Sequence, residues 1–312
     1  MKRIILVLIA LVFCLCSCNS NQSPESESNA VICEQKFTLE NEGCELNACY
    51  TYFDDEKPHP AVLIIAGSGP TDMNGTLGDL KPLKDIASGL AKNGIISLRV
   101  DKRTLNNASS FKVSSGLNEE YFSDCKKALE FLKDQNISEL YLIGHSLGGQ
   151  IAAELAKHDP DIDGIVLFNS SARHLADIMC DQLIVADPEN ASSYAEYAKL
   201  AKECTLSSAK GYYYFGASDY YWSSYNELDT VKSIKEFSKK TLIINSTYDR
   251  QSFPEDISLW QNTLQGVDTA SIHIYDDISH FGYKIDTSDT SSIFGDHEFP
   301  SEIIKLISDF LN

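Results

Sequence analysis

Residues 144–149 read Gly-His-Ser-Leu-Gly-Gly. An apolar run, Leu140-Tyr141-Leu142-Ile143, leads into them, and a helical pattern over residues 150–157 leads away. A serine on so sharp a strand-to-helix turn carries its hydroxyl clear of the strand end, beside the positive end of the helix. The turn is too tight for a Cβ on its flanks, which accounts for Gly144 and Gly148. This arrangement suits acyl transfer by an activated serine. Such chemistry needs a general base, a group that orients the base, and N–H donors for the oxyanion.

The turn resembles that of the α/β-hydrolases, and that resemblance implies that the acid follows the serine in the chain and the histidine comes last. Residues 241–246, Thr-Leu-Ile-Ile-Asn-Ser, read as a strand running towards Asp249, and residues 270–275 as one running towards Asp276, Asp277 and His280. Ligand chemistry collects beyond such strand ends. Asp249 is therefore the expected acid, with Asp276 and Asp277 as alternatives, and His280 the expected base. Of the seven histidines, His297 is the competitor. His273 lies within a strand pattern, while His59, His158 and His174 come too early. His145 is expected to point away from the serine beside it. The oxyanion donors are expected to be the backbone N–H of Leu147, just after the nucleophile, and that of Ser68.

Ser68 belongs to a loop, residues 67–72, that reads Gly-Ser-Gly-Pro-Thr-Asp. Asp72 suits an Asx-type turn there. Asp101 and Arg103 suit a structural ion pair or cap, with substrate binding by Arg103 as the alternative. Residues 159–164, Asp-Pro-Asp-Ile-Asp-Gly, imitate the opening of a calcium loop. Its twelfth position is Ser170 rather than glutamate, and residues 164–168 read as a strand. No metal site and no cofactor is expected.

These groups need a scaffold. Strands are expected at 36–39, 46–53, 61–66, 95–100, 139–143, 164–168, 241–246 and 270–275. Helices are expected at 79–92, 118–135, 254–264 and from about 299, besides the one after Ser146. Apolar strands alternating with helices predict a mostly parallel sheet covered on both faces. Residues 174–235 break the rhythm and are crowded with tyrosines. They predict an inserted cap over the strand ends, with Tyr221 and Trp222 expected in a substrate pocket.

Four segments resemble motifs of the α/β-hydrolase superfamily and, within it, of a group of bacterial esterase-like hydrolases. They are residues 67–72, 99–103 (Arg-Val-Asp-Lys-Arg), 144–149 and 245–251 (Asn-Ser-Thr-Tyr-Asp-Arg-Gln). The resemblance covers roughly residues 35–312. It implies the α/β-hydrolase fold and a serine hydrolase that cleaves a small-molecule carboxylic ester through a Ser-His-Asp triad and an acyl-enzyme. Peptidase, acyltransferase or glycan-deacetylase action on the same triad, and a non-enzymatic binding role, are the alternatives. Thr104 and Ser246 depart from the pattern, each standing where the group usually has glycine.

The chain opens with Lys2-Arg3 and an apolar stretch, residues 4–15, too short to span a bilayer. With Leu15-Cys16-Ser17-Cys18 it resembles a bacterial lipoprotein signal, residues 1–17, with Cys18 lipidated. A polar tether over 18–32 and a domain over 33–312 would follow. Export to a cell envelope and attachment to its membrane by the N-terminal lipid are the expectations. The formal charge of −19 becomes more negative without Lys2 and Arg3, and argues against nucleic-acid partners. Six cysteines lie beyond the leader. In an oxidising compartment, Cys44–Cys49 and Cys180–Cys204 are candidate disulfides, and Cys125 is expected to be a free thiol. Oligomeric state is not legible.

Overall fold

The computed structural model describes residues 31–286 and 299–312. The leader, Cys18 and His297 lie outside the described residues. The chain builds an eight-stranded sheet from β1 (Ile32–Asn41), β2 (Cys44–Phe53), β3 (His59–Ile65), β4 (Ile96–Val100), β5 (Ile137–His145), β6 (Gly164–Phe168), β9 (Lys240–Ser246) and β10 (Ala270–Tyr275). Between β6 and β9 lies a two-stranded ribbon of β7 (Tyr213–Tyr214) and β8 (Ala217–Ser218). The helices are α1 (Pro82–Ala91), α2 (Arg103–Asn106), α3 (Ser123–Lys133), α4 (Leu147–His158), α5 (Leu175–Ala186), α6 (Ala191–Glu203), α7 (Asp219–Tyr225), α8 (Thr230–Phe237), α9 (Pro254–Thr263) and α10 (Ser301–Leu311).

The sheet order is β1-β2-β4-β3-β5-β6-β9-β10. β1 and β2 pair antiparallel through a two-residue turn, Glu42-Gly43, with both φ positive at 50° and 77°. That backbone matches the twist of a hairpin and explains the glycine. β2 is also antiparallel to β4, and every later pairing is parallel. All five residues of β6 are buried, as are the last six of β5. Strands buried on both faces read as unbroken apolar runs, which is why these were legible.

Two apolar layers cover the sheet. Leu83, Ile86 and Leu90 of α1 join Ile303, Ile307 and Leu311 of α10 on one face. Residues of α3, α4, α8 and α9 join residues of the inserted segment between β6 and α8, hereafter the lid, in the other cluster. The insertion between β6 and α8 comprises α5, α6, the ribbon and α7. α8 itself packs on α4 and belongs to the layer rather than the lid.

All six described cysteines are free thiols, contrary to the candidate pairings. Cys44 and Cys49 lie in the same strand, β2, five positions apart. At about 3.3 Å per residue they stand some 16 Å apart on opposite faces, far beyond disulfide reach. Cys125 is partly buried, and burial pushes its thiol up to about 12.

Candidate active site

The turn at Ser146 is built by backbone constraint. Ser146 has φ 54° and ψ −126°, a conformation disfavoured for a residue with a side chain. Its N–H donates to the Phe168 carbonyl at 2.9 Å, and its carbonyl accepts from Gly149 N at 3.0 Å. A Cβ on Gly144 would overlap the Gly148 carbonyl, and one on Gly148 would overlap the carbonyls of Ile65 and Ala66. Both positions therefore need glycine. Ser146 immediately precedes α4, so Leu147 is the first helical residue and its N–H has no partner within the helix.

Asp249 and His280, 31 residues apart, meet behind this turn. His280 Nδ1 donates to Asp249 Oδ2 at 2.7 Å. Asp249 Oδ1 accepts from the backbone N–H groups of Gln251 at 2.7 Å and Ser252 at 2.9 Å. Burial opposes ionisation of Asp249. The His280 charge and ring N–H, with the two backbone donors, outweigh it and hold the carboxyl below its usual range. Ser146 and His280 line the same pocket, without a direct hydrogen bond between them. Hydroxyl-to-imidazole contacts of this kind often tighten only on substrate binding.

The His145 ring lies against that of His280, with centroids 4.8 Å apart, and His145 lines the same pocket. Its Nε2 contacts the His280 carbonyl at 2.8 Å, so Nε2 carries the proton. Burial, then the neighbouring His280 charge, lowers its pKa to about 3. Asn169, just beyond β6, donates to the same carbonyl at 2.9 Å and to that of Ser279 at 3.0 Å. Asn169 was not among the residues expected at the site, although its place at a strand end was the available signal. Ser246, one of the two departures, bridges the loops that carry Asp249 and His280. Its hydroxyl donates to Ile278 O at 2.7 Å and accepts from Tyr248 N at 3.1 Å.

The loop after β3 carries Ser68 beside Ser146. A Cβ on Gly67 would stand 3.0 Å from the Ser146 Cβ, so the backbone passes directly over the hydroxyl-bearing residue. Asp72 Oδ1 accepts from Asn74 N and Thr76 N, closing an Asx-type turn. Residues 99–102 anchor the loop from below. Arg99 donates to Asn74 Oδ1, Asp101 accepts from Met73 N, and Lys102 N donates to Thr71 O. Asp101 and Arg103 do not pair with each other. Arg103 is buried on Asp124 and also reaches Glu42, away from the site. In the calcium-like segment, the Lys133 ammonium bridges Asp159 and Asp161. Among the described residues, no group of His, Cys, Asp and Glu could hold a metal ion.

Two pockets meet at Ser146 and share Ser68 and Gln251. One, of about 250 Å³, also reaches Pro70, Leu83, His280 and Phe281. The other, of about 80 Å³, is lined by Leu147, Gln150, Asn169, Ile178, Met179 and Gln182 among others. Tyr221 and Trp222 line neither. Trp222 is fully buried inside the lid, donating to the Tyr214 carbonyl, and Tyr221 is buried beside it with the two rings edge to face. The aromatics pack the lid rather than wall the pockets. The lid's pocket wall comes instead from α5.

A sequence model of the serine aminopeptidase S33 family matches residues 73–203. Esterase EstD of Thermotoga maritima is 32% identical over 226 residues, which cover 72% of this chain and 54% of that protein. The chain thus spans about half the length of that curated relative. Est1E from Butyrivibrio proteoclasticus superposes with a TM-score of 0.58 at 13% identity, over 88% of this chain and 97% of its own. The acylaminoacyl peptidase of Pyrococcus horikoshii gives 0.59 at 17% identity, over 91% and 41%. Proline iminopeptidase of Mycobacterium smegmatis gives 0.56 at 14% identity, over 89% and 97%. With the strand order and elbow, these likenesses establish the α/β-hydrolase fold.

Proposed function

We propose that this chain, an α/β-hydrolase by fold, is a serine hydrolase of small carboxylic esters with short acyl groups. Ser146 is the nucleophile, His280 the base and Asp249 the group that orients it. The observation that carries this reading is the 2.7 Å hydrogen bond to buried Asp249 from His280, which lines one pocket with the strained Ser146 turn. His280 takes the hydroxyl proton as Ser146 attacks the ester carbonyl. The N–H groups of Leu147 and Ser68 receive the oxyanion. His280 then protonates the departing alcohol, and water cleaves the acyl-enzyme by the same steps reversed.

The two pockets divide the substrate. A leaving alcohol must lie within reach of His280, hence in the 250 Å³ pocket. The acyl group then occupies the 80 Å³ pocket, which lacks His280. A cavity of about 150 Å³ holds benzene. By that measure this pocket takes about three heavy atoms, which suits acetyl or propionyl.

The likeness to peptidases raises amide hydrolysis as a second reading. An aminopeptidase needs an anion to hold the substrate ammonium, and no carboxylate is among the described residues lining either pocket. This favours esters. Turnover of p-nitrophenyl acetate by the purified domain, abolished in Ser146→Ala, is the test. A Ser146→Ala protein with undiminished turnover refutes the reading. The leader supports a further proposal, that the protein is a lipoprotein of a bacterial cell envelope. Radiolabelled palmitate should then enter the full chain and fail to enter Cys18→Ser.

A further inference from the structure

Beneath the oxyanion loop lies a buried charge that the triad does not use. Lys102 and Glu120 form an ion pair at 2.6 Å, with side chains 5% and 9% exposed. The Lys102 ammonium has three protons, and all three are engaged. It donates to Glu120 Oε1 at 2.6 Å, to the Tyr121 hydroxyl at 2.8 Å and to the Gly67 carbonyl at 3.1 Å. Tyr121 in turn donates to the same Gly67 carbonyl at 2.6 Å. Two donors, one of them charged, thus converge on a single backbone oxygen in the loop that passes over Ser146.

That oxygen belongs to the peptide unit that carries the Ser68 N–H. No described peptide bond is cis. In a planar trans peptide, the C=O and N–H point in opposite directions. Pinning the Gly67 oxygen towards Lys102 and Tyr121 therefore turns the Ser68 N–H the other way, to the side where Ser68 lines both pockets with Ser146. A loop glycine such as Gly67 would otherwise let this peptide flip at little cost. Hydrogen bonds accepted by the carbonyl also polarise the peptide and strengthen its N–H as a donor.

We propose that Lys102, held by Glu120 and acting with Tyr121, is a positioning residue that fixes the Ser68 N–H as an oxyanion donor. The proposal rests on the serine-hydrolase reading. It explains why a lysine is buried where an apolar side chain would be cheaper. Removing Lys102 alone would leave Glu120 buried and unpaired.

The test therefore removes both charges, in Lys102→Met/Glu120→Gln, and compares kcat and KM for p-nitrophenyl acetate, with thermal unfolding and the affinity of phenylboronic acid. Loss of one oxyanion donor lowers kcat by about 10²–10³. The expected result is a kcat loss of that size with KM within about threefold. Boronate affinity should fall in step with kcat/KM, because the tetrahedral adduct uses the same donor. Tyr121→Phe, which changes no charge, should lose about tenfold in kcat. A folded double variant with kcat within threefold of the parent overturns the proposal. Should the double variant fail to fold, unchanged kcat in Tyr121→Phe overturns it alone. Ser146→Ala separates the two failures: if that protein is inactive while the Lys102 and Tyr121 variants are not, only this inference falls.

Discussion

Replacing Asp249 with asparagine tests, atom by atom, whether Asp249 orients His280 as the proposed base. One carboxylate oxygen accepts from the backbone N–H groups of Gln251 and Ser252, and the other from His280 Nδ1. Asparagine has the same shape but only one acceptor oxygen. The two backbone donors claim it, because turning the NH₂ towards them would set donor against donor. The NH₂ then faces His280, which must accept at Nδ1 and carry its proton on Nε2. In that tautomer Nε2 has no lone pair for the Ser146 hydroxyl. A wrong-tautomer substitution of this kind costs about 10⁴ in kcat in a serine protease, or about 5.5 kcal/mol of barrier. KM and the melting temperature should change little, since each local hydrogen bond keeps a partner. The assay is p-nitrophenyl acetate turnover across pH, with circular dichroism to confirm folding. A folded Asp249→Asn protein with kcat within tenfold of the parent would show that Asp249 does not set the tautomer.

His145 makes stability depend on pH. Its folded pKa is depressed from 6.5 to about 3, so between those values the unfolded chain binds a proton that the folded protein refuses. Its contribution is fully present above pH 6.5 and is lost as pH falls towards 3, by about 2 kcal/mol at pH 5. Urea titrations at pH 7 and 5 should show this drop, reduced in His145→Gln. Met179 walls the small pocket, and Met179→Ala should move the best substrate from acetate towards longer chains. At about 0.8 kcal/mol per buried CH₂, two extra methylenes should gain roughly tenfold in kcat/KM. An unchanged chain-length profile would remove the acyl assignment from that pocket.

The sequence carried the order and type of nearly every sheet strand: inner strands buried on both faces cannot hide among polar residues, and the more exposed outer strands β1 and β10 showed by alternation. It also carried the Ser146 turn, whose glycines answer to backbone overlap rather than to any distant partner. Asp249 and His280 were readable as loop residues beyond strand ends, since the parallel sheet delivers every such loop to one edge. Local pattern determined that much: periodicity of 2 and 3.6, and the steric demands of one turn.

Only the tertiary structure decided what depends on contacts between distant segments. It turned His145 towards His280 and brought Asn169 to the same carbonyl, 111 residues away in sequence. It placed Tyr221 and Trp222 in the lid's interior, because their aromatic area is better buried than left to line a pocket. Residues 99–103 were visible as a motif, but not their division of labour. Arg99, Asp101 and Lys102 hold the loop that passes over Ser146, while Arg103 turns to α3. A charged side chain finds its partner by proximity in space, and spacing along the chain does not encode which carboxylate or carbonyl the fold will bring within 3 Å.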